Sequence, residues 1–468
     1  MANLILWNTL GVNAPARPAG VHILANWLRQ HGYTVKVIDF CILLTKEELV
    51  AITEKHIGPD TLAIGVSSTF WIFRESPLAI PARKYLEPEW VIEAREEIDS
   101  RHTVSWMLGG LRAMQGPMKF EWVRFMGYSE NDVLRWMDIN SNKLIRRPDF
   151  DITCADRFPD PGDCVQPEEF LSIELTRGCK FKCKFCSFPL VGRAPGTYMR
   201  DPKLIKDEIL RNYDTFGTTR YYYVDDTVNE TMEKVTELAN IAQSLPFELE
   251  WVGYNRLDLI GTNPGMAQAL KDSGLRSTQF GIESFHPEAS RVIGKGWNGK
   301  YGKDYLLKLK EEWGKDIVFF MSFIIGLPGE DEKSIDETHQ WCIDNEMYAW
   351  TWLGLAISRF PGKYWKSEFE KNAPEYGYKF TNPDDPEYWE IGEWNSLSVH
   401  LKGRELNKYC FQKSMLYPWR IGEMGSLGYS INELIDMFIN TPLRDLNTEL
   451  FEKQTYDFVR RYAANQMK

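Results

Sequence analysis

Residues 174–193 read ELTRGCKFKCKFCSFPLVGR, and three of the chain's eight cysteines fall within them. Cys179, Cys183 and Cys186 stand at C-x3-C-x2-C spacing. Thiolates this close can converge on a soft metal centre. Structural zinc takes four Cys or His ligands, usually as two short-spaced pairs. No second pair follows, because the next cysteine is Cys342 and the next histidine is His286. Three thiolates would leave one iron of a four-iron cluster open, and an open iron can hold a substrate or cofactor rather than only pass electrons. Spacing alone also admits three reduced structural cysteines or an incomplete zinc knuckle.

Working outward, 171–175 (LSIEL) is a strand, with the triplet in the loop after it. Helical spacing at 201–213 is followed by a repeating rhythm: strands at 221–224, 248–253, 277–282, 317–325 and 352–356, and helices at 228–242, 265–274, 305–312 and 334–345. This rhythm predicts a full or partial (β/α) barrel of the TIM type, in which functional groups sit at the C-terminal strand ends. The polar candidates at those ends are Asp225 and Asp226 after YYYV, Arg256 after EWVGYN, and Glu283 in GIES. Asp225 and Asp226 can equally be helix N-caps, and Gly326 in GLPGE can equally serve a tight turn. Glu283 follows a buried strand, where an isolated charge is costly unless paired.

The string TRGC-x3-C-x-FC, with Phe185 before the last cysteine, resembles the signature of the radical S-adenosylmethionine (SAM) superfamily. It is most similar to the branch with an N-terminal cobalamin (B12)-binding domain. One departure is Lys180, where many members of that branch have proline. The resemblance implies that Cys179, Cys183 and Cys186 are catalytic and hold a [4Fe-4S] cluster. It further implies that SAM binds the open iron and is cleaved reductively to a 5'-deoxyadenosyl radical. On the same resemblance, Phe185, Asp225, Asp226, Arg256, Glu283, Ile324, Gly326 and Leu327 border SAM.

Residues 1–150 carry strand patterns at 3–7, 33–39, 61–67 and 104–108, with helices at 21–31 and 87–101 between them. Residues 120–147 read as a last helix and a hairpin. The alternation predicts a doubly wound, Rossmann-like parallel sheet that binds ligands at its carboxyl edge. Small residues there, Ala19, Gly20, Ser67, Ser68, Gly109 and Gly110, would let a flat ligand approach the backbone. They are also ordinary tight-turn residues. Their order ahead of the cysteine motif resembles a cobalamin domain, which implies a corrinoid at those six positions. No D-x-H-x-x-G string occurs in 1–150, so the expected corrinoid has no histidine ligand from the protein, and His22 reads as a packing or surface residue.

The expected organisation is 1–150 cobalamin-like domain, 151–168 linker, 169–358 radical SAM barrel core, and 359–468 a mainly helical substrate or lid region. Helices are expected at 396–417, 431–441 and 445–465, with 424–429 as a breaker. Tyr364, Trp394, Tyr417 and Trp419 are candidate lid aromatics, although such clusters are often simple packing. No second C-x-x-C motif is present, which argues against methylthio-transfer and auxiliary-cluster subclasses.

Composition bounds the function. Hydrophobic residues make up 43% and charged residues 26%, values of a globular chain with ample core. The net charge of −11 disfavours non-specific nucleic-acid binding, which needs a basic face. The longest apolar run, 317–327, is shorter than the roughly 20 residues of a membrane span. The remaining cysteines lack disulfide-framework spacing, so a reducing cytoplasm is expected. The resemblance implies a cobalamin-dependent methyltransferase acting on an unactivated carbon of a small molecule or peptide, fed by an electron donor such as flavodoxin or ferredoxin. A radical cyclase, rearrangement or epimerase enzyme without methyl transfer is the alternative within the family. A non-catalytic iron–sulfur or corrinoid-binding protein is the alternative outside it.

Overall fold

Short apolar runs separated by amphipathic helices assemble here into two main sheets, each of successive β-α steps. The structure is a computed structural model. It describes all residues except 10–14, 70–86, 111–112, 114–117, 144, 153–159, 188–198, 296–298, 360–365, 414–417 and 442–447, and the side chains of 411–413, 419 and 448. Two units are distinguished. The first comprises Met1–Ser172, Lys203–Thr218 and Thr448–Lys468, and the second Ile173–Pro202 and Thr219–Asn447. The last helix and the helix Pro202–Phe216 thus group largely with the first unit, although sequence order alone placed each in a later segment.

The first unit's strands are β1 (Leu4–Trp7), β2 (Val35–Ile38), β3 (Ala63–Ser67), β4 (Ser105–Gly110) and β5 (Val123–Met126). Their order is β2-β1-β3-β4-β5 and every pairing is parallel. All four residues of β1 are buried, because helices cover both faces of a parallel sheet. The order reverses between β1 and β3, which makes the carboxyl edge there a topological switch point. The expected hairpin in 120–147 is corrected: β5 pairs parallel to β4 and leads into the helix Glu130–Asn140. The helix Lys46–His56 was not anticipated, though Thr45 and Glu48 form a capping box at its start.

A buried ionic network closes this unit. The Arg17 guanidinium pairs with Asp39 and Glu169 and donates to the Asp163 carbonyl at 3.0 Å. Arg29 pairs with Asp163 at 3.0 Å, and the Tyr462 hydroxyl accepts from the Asp39 amide at 2.8 Å. His22 lies between Asp39 (3.0 Å) and Asp163 (3.5 Å), so it is a packing residue, as its place in the first helix suggested. Burial opposes a charged His22 ring, but the two carboxylates outweigh it and push its pKa up to about 9. The folded value therefore exceeds the unfolded one of about 6.5. The stability contributed by His22 is full below that lower value and is lost as pH rises through about 9. Thermal melts between pH 6 and 10 should show this decline, and His22→Gln should flatten it.

The second sheet contains β6 (Leu171–Ile173), β7 (Arg220–Tyr223), β8 (Glu250–Asn255), β9 (Leu275–Glu283), β10 (Val318–Ile325) and β11 (Ala349–Gly354), in sequential order. The pairings described from β7 to β11 are parallel. With β6 and β11 at its two ends, the barrel is partial. The helix Ser396–Lys413 covers the β11 edge, where the Asn407 amide accepts from Trp352 N and donates to Trp352 O, both at 2.8 Å. That contact satisfies an edge that would otherwise invite strand addition. The 424–429 breaker ends a helix, Pro418–Gly425, that the periodicity did not reveal. Among the described residues no helix is long and apolar enough to cross a membrane.

Candidate active site

The loop after β6 is pinned from several sides. Lys180 N donates to Glu230 Oε1 at 3.0 Å, Lys184 N to the Ile293 carbonyl at 3.1 Å, and Phe369 N to the Lys184 carbonyl at 3.0 Å. Its three cysteines are half-buried, and none forms a disulfide among the described residues. Cys179 Sγ lies 3.4 Å from Thr227 Oγ1, and Cys183 Sγ accepts from Arg256 Nη1 at 3.4 Å. Burial pushes the Cys179 thiol up, and the nearby Glu230 and Asp226 carboxylates add to it. Among the described residues no three His, Cys, Asp or Glu side chains converge on one ion. A four-iron cluster draws each thiolate to a different iron. Three thiols on one anchored loop fit such a centre.

Asp225 and Arg256 are committed differently from the sequence expectation. Asp225 is buried; one of its oxygens accepts from Leu175 N and the other from Lys234 Nζ, both at 2.7 Å. Each oxygen thus already holds one donor, and the carboxylate ties the end of β6 to the helix Met232–Gln243. Asp225→Asn should therefore lower stability by about 2–4 kcal/mol, since it leaves Lys234 buried without its countercharge. The same variant should leave SAM affinity, measured by equilibrium dialysis, within about twofold. The Arg256 fork is held by Asp258, at 3.0 and 2.6 Å, while its guanidinium lies 4.1 Å from the centre of the Phe181 ring. Its two-pronged face is thus engaged by a neighbour, and one remaining nitrogen meets the cysteine loop.

Glu283 ends β9 with φ +65°, a left-handed conformation uncommon outside glycine and often found at functional sites. Burial pushes its carboxyl up, and Lys295, 3.4 Å away, offsets part of that. Asp226 is half-buried, and its charge acts on both Cys179 and Tyr254. At GLPGE, Ile324 and Leu327 are buried, and the Gly326 carbonyl accepts from the Tyr378 hydroxyl at 2.9 Å. A Cβ on Gly326 would meet the Trp389 ring at 2.6 Å. This glycine therefore makes room for Trp389. Phe185 is half-buried in the loop. Trp394 is buried and donates to the Glu330 carbonyl at 3.3 Å, which makes it a packing residue; Tyr364, Tyr417 and the Trp419 side chain lie outside the described residues.

At the carboxyl edge of the first sheet, a Cβ on Gly20 or Gly109 would meet nothing within 4 Å. Open backbone of this kind beside half-buried Ala19 and Ser67 fits a broad flat ligand. Two neighbours are used internally. Ser68 Oγ donates to the Gly109 carbonyl at 2.8 Å, and a Cβ on Gly110 would strike Thr69 at 2.6 Å. Sequence reasoning missed Lys234, Lys295, Thr227 and Asp258. Only Asp258, two residues after Arg256, carried a local signal.

Residues 173–342 match the model of the Radical SAM superfamily. An uncharacterized methyltransferase of Pyrococcus horikoshii is 25% identical over 191 residues, which are 41% of this chain and 39% of that protein. The anaerobic magnesium-protoporphyrin IX monomethyl ester cyclase of Cereibacter sphaeroides is 26% identical over 180 residues, 38% of this chain and 28% of that protein. The matched stretches thus span less than half the length of these curated relatives. The radical SAM methyltransferase TsrM from Kitasatospora setae, solved with tryptophan and a SAM analogue, aligns with a TM-score of 0.60 at 17% identity. That alignment covers 82% of this chain and 79% of TsrM, and at such identity it establishes shared fold. Residues 173–342 are a radical SAM domain. A five-stranded parallel sheet lies before the matched residues in sequence.

Proposed function

We propose that this chain is a cobalamin-dependent radical SAM methyltransferase acting on an unactivated carbon of a small molecule or peptide. The observation that carries the reading is the presence in one chain of an anchored cysteine triplet at a partial barrel and a switch-point sheet edge with open glycines. Cys179, Cys183 and Cys186 would hold a [4Fe-4S] cluster, with Phe185 beside them. Asp226, Glu283, Ile324, Gly326 and Leu327 would border SAM, with Asp225 and Arg256 supporting from behind. Ala19, Gly20, Ser67 and Gly109 would face the corrinoid. A second TsrM structure is described with cobalamin and a [4Fe-4S] cluster bound, which supports both assignments by analogy.

When bound, the cluster and SAM supply reductive cleavage of a sulfonium carbon–sulfur bond, and cobalamin supplies a methyl carrier. The chain's own residues set the surroundings of that chemistry. The Arg256 guanidinium donates to Cys183 Sγ at 3.4 Å and so helps fix its position. Lys295 keeps the buried Glu283 carboxylate compensated. The pinned loop holds its ligands without further ordering on binding. An acidic electron carrier of the flavodoxin or ferredoxin type would deliver the electron in a reducing cytoplasm.

Anaerobic reconstitution tests this. The protein should bind about four irons, show a corrinoid spectrum, release 5'-deoxyadenosine with dithionite and SAM, and move label from methyl-labelled SAM into product. A radical cyclase is the second reading, favoured by the match to the Cereibacter cyclase. Product formation without label would select it, and absence of iron and of SAM cleavage would reject both.

A further inference from the structure

Parallel register determines which side chains face into the half barrel. Tyr223 and Trp251 stack at 4.6 Å, and Trp251 Nε1 donates to Ser273 at the end of the helix Met266–Asp272, so that face points outward. Residues one step along point inward: Tyr222 and Val224 after it, Tyr254 on β8, and Ser277 and Gln279 on β9, with Tyr254 paired to Gln279. On β11, Trp352 reaches outward to His339, which turns Leu353 inward. A closed barrel fills its interior with packed branched side chains. Here Val224 is 41% and Leu353 50% exposed, so the upper interior is open between β7 and β11. Its floor is shut, because the helix Pro418–Gly425 presses Gly422 onto the Tyr222 ring.

The polar groups inside this space are unusual. Ser277 is fully buried and its hydroxyl has no hydrogen-bond partner among the described residues. The Gln279 carbonyl oxygen is likewise buried and unpartnered. Buried polar atoms are almost always bonded, and leaving one unbonded is costly. Two such atoms, two residues apart on one inward face, form a built recognition strip. The inward residues Tyr222, Val224, Tyr254, Ser277 and Gln279 are uncharged, and the cations beside them are already paired, Lys295 with Glu283 and Arg420 with Glu423. Glu423, on the floor helix, is buried, and burial raises its carboxyl to about 7, with Arg420 offsetting only part of this.

We propose that Gln279 is the specificity-determining residue of a substrate pocket in this half barrel. The inserted end of the substrate would be uncharged and largely apolar, flanked by Val224 and Leu353, and would carry one N–H or O–H donor to Gln279. Heteroaromatic N–H, amide or hydroxyl compounds fit this description, with any acidic group left at the mouth. The inference deepens the methyltransferase reading and rests on it for the word substrate, but its test needs no turnover.

Binding of indole and of benzofuran, its isostere without the donor, can be measured by ligand-observed NMR on the anaerobic holoenzyme. Indole should bind about ten-fold more tightly, and Gln279→Leu should erase that preference. Because the Gln279 side-chain oxygen has no partner to lose among the described residues, the same variant should melt at an unchanged or slightly higher temperature. A hydrogen-bonded structural glutamine would give a lower one. Leu353→Trp, at an exposed position, should weaken both probes by filling the space. Equal binding of the two probes, a preference that survives Gln279→Leu, or indifference to Leu353→Trp would each overturn the proposal. Failure of SAM cleavage with the probe preference intact would instead overturn the methyltransferase reading alone.

Discussion

Cys183→Ala is expected to lower bound iron from about four atoms per chain to below about one after anaerobic reconstitution. Release of 5'-deoxyadenosine should fall by more than the roughly 10–100-fold that loss of a supporting contact around a metal ligand costs. Far-UV circular dichroism should be unchanged, because the loop is held through Lys180, Lys184 and Phe369 backbone bonds and not through this half-buried thiol. Arg256→Ala provides the contrast. It removes the guanidinium 3.4 Å from Cys183 Sγ but no ligand, so iron should be retained while SAM cleavage drops by about 10–100-fold. Equal iron content in Cys183→Ala and the parent would remove the cluster assignment.

Arg17→Met is expected to be the most destabilising single change in the first unit, at about 3–5 kcal/mol. Its guanidinium is fully buried, neutralises Asp39 and Glu169, and lies over the Phe40 and Tyr462 rings at 4.8 and 5.3 Å. Removing it strands two carboxylates in a site that His22, Arg29 and Lys36 compensate in part. For a unit of this size the loss corresponds to a fall of roughly 10 °C or more in its melting midpoint. Arg17→Lys should rescue little, since one ammonium cannot reproduce a fork that meets Glu169 through two nitrogens, at 2.5 and 2.9 Å. Calorimetry of the full chain reads the effect, with the second unit's transition as internal reference. An unshifted first transition would mean that the network contributes nothing net.

Local pattern was sufficient for most elements. The runs LILW, AIGVS and VFFMSFII are strands because branched and aromatic residues fill both faces of a parallel sheet. Where a local signal was ambiguous, packing chose. Residues 123–126 carry too little alternation to show whether they pair parallel or antiparallel, and β4 supplied the answer. The helix Pro418–Gly425 is short, and its position against Tyr222 is visible only in three dimensions.

By itself the sequence determined the chemistry-bearing triplet, most of the order of strands and helices, and the small residues at the first sheet's edge, since each depends on spacing within a few residues. Only the tertiary structure decided how the charges are used. Asp225 meets Lys234, Glu283 meets Lys295, and Arg17 meets Asp39 and Glu169. These partners lie 9 to 152 residues apart, and the cost of burying a charge is offset only by whichever opposite charge the fold brings beside it. The same holds for Gln279: its type and strand were legible in the sequence, but that its side-chain oxygen meets no partner among the described residues is a property of the folded interior.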